Sequence, residues 1–111
     1  MRYKGMLSTG AAMTLEILHV PGCPGADLLE GRLTGLLGAR PGHRIVRRVV
    51  TSQTDAERAG MTGSPTLLAD GADPFARPGG FPSVSCRLYP DEDGRPRPAP
   101  SSAQLRAALS L

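Results

Sequence analysis

Apolar and polar residues fall into blocks along this chain, and the spacing within each block names an element. Thr14–Val20, TLEILHV, is a short apolar run with β-branched residues at both ends. It stops at Pro21-Gly22 and predicts a buried strand. Over Pro24–Ala39, the residues Ala26, Leu29, Leu33, Leu36 and Leu37 recur at three- and four-residue intervals, which is one face of a helix. Pro24 suits its first position, and Asp27 and Glu30 suit its positive end. Gly31, Gly35 and Gly38 each weaken it by about 1 kcal/mol relative to Ala, so tertiary packing must hold it. Arg40-Pro41-Gly42 ends it.

His43–Val50 reads as a second strand, and a βαβ unit of these lengths makes the first two strands parallel. Thr54 and Glu57 fit a capping box that opens a short helix to Ala59, with Gly60 as a left-handed stop. Thr66–Asp70 reads as a third strand and 72–82 as a Pro- and Gly-rich loop. Ser83–Tyr89 alternates as a fourth strand, with Val84, Cys86 and Leu88 inward and Ser83, Ser85, Arg87 and Tyr89 outward. Asp91–Gly94 is a solvated turn, and the prolines of 95–100 keep that stretch extended. Ser101 and Gln104 form another capping box before a helical face of Leu105, Ala108 and Leu109. The predicted order is β-α-β-α-β-β-α, an α/β fold with parallel strands first and an antiparallel pair last. Its four-stranded mixed sheet carries helices on both faces.

Composition narrows the classes. At 111 residues the chain is one domain. Its 14 Gly and 11 Pro show no three-residue period, which excludes collagen. No apolar run approaches the roughly 18 residues that span a bilayer. A hydrophobic fraction of 40% with low net charge argues against a wholly disordered chain. The formal charge is +3, but Arg2 and Lys4 account for most of it, which argues against a nucleic-acid surface. Residues 1–12 lack the apolar stretch of a secretory signal and read as a disordered tail before a domain spanning 13–111. The expected compartment is cytoplasmic, with no membrane partner. There, two cysteines are expected to be reactive or buried rather than joined in a structural disulfide.

Two segments carry candidate chemistry. In Val20-Pro21-Gly22-Cys23-Pro24-Gly25-Ala26, Cys23 falls where a strand hands over to a helix. Unpaired backbone N–H groups and the helix dipole favour thiolate there, while Asp27 and Glu30 oppose it. The second segment is Gly60-Met61-Thr62-Gly63-Ser64-Pro65-Thr66-Leu67-Leu68.

Together with the element order from Thr14 to the last helix, these segments resemble the thioredoxin-like superfamily. Its members place a Cys-x-x-Cys motif at the start of a helix and pack a cis proline against it. The resemblance implies that Cys23 is the nucleophile and that Pro65 is cis and shapes the substrate groove. The backbone of Ser64 and Thr66 would orient a thiol or disulfide substrate, either a protein or a glutathione-like small thiol. No cofactor or metal is expected.

The motif here is Cys23-Pro24-Gly25-Ala26, with Ala26 where the second cysteine belongs. A mixed disulfide on Cys23 would then be resolved by a small external thiol, as in monothiol glutaredoxin-like proteins. The other route is Cys86, if its Cα lies within the ~4.4–6.8 Å a disulfide needs. Cys86 on an apolar strand face reads as a core thiol.

A narrower resemblance covers 63–68, 70–75 and 83–89. It looks like small bacterial thioredoxin-like proteins, some named with alkylmercury lyases, whose residues do not map one by one onto this chain. The alternative to a thiol-disulfide oxidoreductase is a non-catalytic binding module, or a Cys23–Cys86 site for a soft metal such as mercury. His19 reads as a core or edge histidine and His43 as exposed, and neither has structural-zinc spacing to a cysteine. Arg44 and Arg48 share one strand face and Arg47 the other, which reads as solvated surface.

Overall fold

One strand, with leucine or isoleucine at three of its six positions, organises the molecule. The computed structural model describes residues 12–38 and 40–111, so the tail proposed for residues 1–12 lies, apart from Ala12, outside the described residues. The elements in chain order are β1 (Thr14–His19), α1 (Pro24–Leu37), β2 (Arg44–Val49), α2 (Gln53–Ala59) and β3 (Thr62–Ser64). They continue as β4 (Thr66–Ala69), β5 (Ser83–Cys86), β6 (Tyr89–Pro90), β7 (Pro96–Arg97) and α3 (Ser102–Ala108).

The central sheet has the order β2-β1-β4. β1 runs parallel to β2, from Thr14 opposite Arg44 to His19 opposite Val49, and antiparallel to β4, with Leu18 opposite Thr66. On one face, Leu15 and Ile17 pack with Ala26, Leu29 and Leu33 of α1 and with Leu105 of α3. On the other, Leu18 packs with Val50, Met61 and Ala56 of α2. Burial on both faces explains why the adjacent Ile17 and Leu18 are both apolar and the alternation stops there. The architecture is α/β, with three helices and mixed strand directions among the described residues.

The fourth strand corrects the sequence-based expectation. β5 does not close antiparallel on β4. It pairs in parallel with β3, a three-residue strand that the hydrophobic pattern did not reveal. The connection from Asp70 to Pro82 is the physical reason. A tight hairpin needs a few residues, whereas this link has about a dozen, and the run from β3 to β5 has the crossover length that a parallel pair needs. The described strands therefore form a three-stranded sheet and two pairs, β3–β5 and β6–β7.

The helix ends follow their caps. α2 starts two residues before the expected box: Ser52, not Thr54, is its N-cap, its Oγ accepting from the Asp55 N–H at 3.1 Å. Gly60 ends α2 at φ 82°. The α3 box has both halves, with Ser101 Oγ accepting from Gln104 N–H and Gln104 Oε1 accepting from Ser101 N–H.

The turn between β6 and β7 is tied by one carboxylate. Asp91 accepts from the Asp93 and Arg95 N–H groups through Oδ1 and from Arg97 Nε through Oδ2, each at 2.9 Å. The bond from Arg97, then the backbone donors, hold this carboxyl below its ordinary value of 3.8. A lowered folded-state value adds stability that is present above the ordinary value and is lost as pH falls through the lowered one. Thermal unfolding followed from pH 7 downward should therefore show Asp91→Asn and the parent converging in acid. A constant gap between the two down to pH 2 would contradict this.

Candidate functional site

β1 ends at His19, Val20 donates its N–H to Ser64 Oγ at 3.0 Å, and the chain turns through Gly22 at φ 71°. Cys23 follows as the N-cap of α1, with extended backbone (φ −78°, ψ 110°) and no side-chain capping bond. Its sulfur is therefore not spent on holding the helix end. Cys23 is half-buried and packs against the cluster that contains Ala26 and Leu29. Pro24 takes the first helical position, where the missing N–H costs nothing.

Gly25 is where the two candidate segments meet. A Cβ on Gly25 would lie 2.9 Å from Pro65 Cδ and closer still to the Pro98 carbonyl oxygen. The Ser64–Pro65 bond is cis, and the Pro65 side chain is fully buried. Pro65 thus sits against the first turn of α1, two residues past the thiol.

Ser64 and Thr66 lie under the site rather than at its mouth, at 2% and 0% exposure. Ser64 Oγ serves Val20, and the Ser64 carbonyl accepts from the Arg87 N–H at 2.9 Å. Thr66 donates its hydroxyl to the Gly63 carbonyl at 2.6 Å and accepts from the Thr62 N–H at 3.1 Å. Both residues brace the Pro65 turn through bonds inside the protein.

A second cluster supports Pro65 from behind, and the sequence reading missed it. Tyr89 donates its hydroxyl to the Pro65 carbonyl. Burial pushes that phenol well above its ordinary value, so the proton stays and the group remains a donor. The Arg87 guanidinium stands 4.6 Å from the centre of the Tyr89 ring, and Phe75 meets the ring edge-on at 5.7 Å. Arg87 pairs with Asp73 at 2.8 Å and donates to the Phe75 carbonyl at 2.8 Å and to Thr62 Oγ1 at 3.1 Å.

Val84 packs on the Leu18 and Met61 cluster and Ser85 is exposed, as the alternation predicts, but the expected facing fails from Cys86 onward. Arg87 and Tyr89 point inward, while Cys86 is exposed and Leu88 is 48% exposed. The expected strand Ser83–Tyr89 stops at Cys86, so its alternation does not carry past that residue; the Asp73 counter-charge draws Arg87 inward and Tyr89 opens β6. Cys86 is therefore not a core thiol. It lines a cavity of about 290 Å³ with Arg77 and Phe81. Both cysteines are free. The available signal for the cluster was Asp73-Pro74-Phe75, a charge and an aromatic set in a proline-rich loop before a strand bearing Arg and Tyr two apart.

The charges near Cys23 are mutually paired. Arg47 Nη1 bonds Asp27 at 2.8 Å and Glu30 at 2.9 Å, so a guanidinium offsets both carboxylates expected to oppose a thiolate. Arg47 is exposed, as expected, and also bridges β2 to α1. His19 is 5% exposed, and its Nε2 faces Arg47 Nε at 3.1 Å. A guanidinium can only donate, so Nε2 accepts and Nδ1 carries the hydrogen that it donates to the Val20 carbonyl at 2.8 Å. Both ring nitrogens are engaged, which leaves His19 a structural rather than proton-transferring part. His43 is half-buried rather than exposed and accepts from the Met13 N–H.

No family model matches the chain, and neither does any curated protein or solved structure. Among the described residues, no group of three or more His, Cys, Asp or Glu is placed to hold a metal ion. No described helix is long and apolar enough to cross a membrane.

Proposed function

We propose that this chain is a thioredoxin-like protein of the single-thiol type, with Cys23 as the nucleophile of thiol–disulfide exchange. The observation that carries this reading is the packing of Pro65 against Gly25, beside a half-buried cysteine that caps α1 without using its sulfur. The Cys23 thiolate attacks one sulfur of a disulfide. A new S–S bond forms to Cys23, the old one breaks, and the second sulfur leaves as a thiolate with the electron pair. The position one turn on is Ala26, fully buried among leucines, so no helix partner resolves the mixed disulfide. An external thiol does so, which restores Cys23 and releases the bound half as a new disulfide. Two free cysteines suit a reducing compartment such as the cytoplasm.

Oxidised glutathione tests the reading. Peptide mapping by mass spectrometry should find the glutathione adduct on the peptide containing Cys23. Cys23→Ser should abolish the adduct at that position, and added thiol should reverse it. Adduct on Cys86 alone, with Cys23 unmodified in the folded protein, would sink the proposal.

A further inference from the structure

We infer that Cys23 takes small disulfides rather than cysteines held in an extended polypeptide, because β5 already fills the strand edge beside Pro65. This rests on the exchange chemistry proposed for Cys23 and narrows its substrate class.

Extended peptides commonly bind by adding a strand to an open sheet edge, where main-chain hydrogen bonds supply affinity and hold the register. β3 leads straight into Pro65, which packs on Gly25 two residues past Cys23. One of its sides is engaged by Thr66, whose hydroxyl accepts from the Thr62 N–H and donates to the Gly63 carbonyl, and the other is filled by β5. Met61 O accepts from the Ser83 N–H at 3.0 Å, and Ser64 O accepts from the Arg87 N–H at 2.9 Å. The register pairs Thr62 with Ser83 and Ser64 with Cys86, with one slip between them. At the slip, Gly63 has φ 113°, and the space for a Cβ there is taken by Arg87 Cβ at 2.6 Å, with Ser85 O at 3.3 Å. The two backbones lie too close to admit another chain.

β5 is also pinned. Arg87 continues from its end and is anchored by Asp73, the Phe75 carbonyl and the ring of Tyr89. A substrate strand pairing with β3 beside Pro65 would have to displace β5, break the bond to Ser64 and draw the ion pair apart. A small disulfide needs only to reach the sulfur of Cys23. The chain thus supplies its own strand where a polypeptide substrate would otherwise gain its main-chain bonds.

The test uses the unmodified full chain and two probes. One is oxidised glutathione; the other is the symmetric disulfide of an extended peptide with cysteine at its centre. Mixed-disulfide formation on the Cys23 peptide is timed by mass spectrometry. With the edge filled, the peptide probe should react no faster than glutathione disulfide. An open edge contributing two or so main-chain bonds would make the peptide probe roughly tenfold faster or more, and that result would overturn the inference while leaving the exchange chemistry standing. Failure of Cys23 to react with either probe would overturn the exchange chemistry and this inference with it. Hydrogen exchange gives an independent reading. The Arg87 amide should exchange as slowly as amides of β1, and exchange at the rate of an unpaired loop amide would also overturn the inference.

Discussion

Replacing Asp73 with Ala should lower the stability of the fold by about 3–5 kcal/mol, the cost of leaving one partner of a buried ion pair without its counter-charge. The side chains of Arg87 and Asp73 are only 9% and 13% exposed, so solvent screens little of their interaction. Without the carboxylate, Arg87 would keep the Phe75 carbonyl and the Thr62 hydroxyl but bury an uncompensated charge against Tyr89. For a domain with a typical stability of about 5–15 kcal/mol, this is a large fraction of the whole. Urea denaturation measures it. Pairing Asp73→Leu with Arg87→Met should cost less than the sum of the two single changes, because the double variant buries no orphan charge. A loss under about 1 kcal/mol for Asp73→Ala would place the pair among solvent-screened surface bridges and refute its supporting role.

Gly25→Ala should destabilise although it raises helix propensity. The propensity gain is about 1 kcal/mol. Against it, the new methyl would enter the space held by Pro65 Cδ and the Pro98 carbonyl, and one of these neighbours is backbone that cannot swing aside. Overpacking of this kind costs about 1–3 kcal/mol and more when rigid groups clash, so the steric term wins. Gly31→Ala and Gly35→Ala are the controls. Both sit in α1 with nothing within 4 Å of the added methyl, and each should stabilise by about 0.5–1 kcal/mol. Thermal melts read the difference directly, at about 4–8 °C per kcal/mol for a domain near this size. Gly25→Ala melting as high as Gly31→Ala would mean that Pro65 does not press on the first turn of α1.

What was legible in the sequence was local. The apolar run from Thr14 ends within a residue of β1, and the leucines at 29, 33 and 37 are the buried stripe of α1. Pro24 and the Pro21-Gly22 turn place Cys23 at the helix start because turn and cap chemistry act over a few residues. β3 was not legible: Thr62-Gly63-Ser64 has no hydrophobic alternation, and its partner lies about twenty residues away. The inward face of Arg87 depends on Asp73, in a loop whose path no local pattern specifies. Nothing local marks Gly25 as a contact point, yet its missing side chain lets Pro65 and Pro98 approach α1. The side-chain bonds of Ser64 and Thr66 inside the turn depend on Val20 and Gly63, contacts that no local pattern specifies.

β2 has a bearing on how copies of the protein behave in concentrated solution. It forms one border of the central sheet, and Val49 on it is 56% exposed. Ile45, Val46 and Val49 would make a segment prone to stacking with its like. Arg44, Arg47 and Arg48 interrupt that segment, and Arg47 and Arg48 are also tethered to Glu30 and Glu16. Stacking another copy along this border would bury these charged side chains or break their ion pairs, so desolvation opposes fibre growth along β2. Arginines tethered to the protein's own carboxylates thus also act as gatekeepers against self-association.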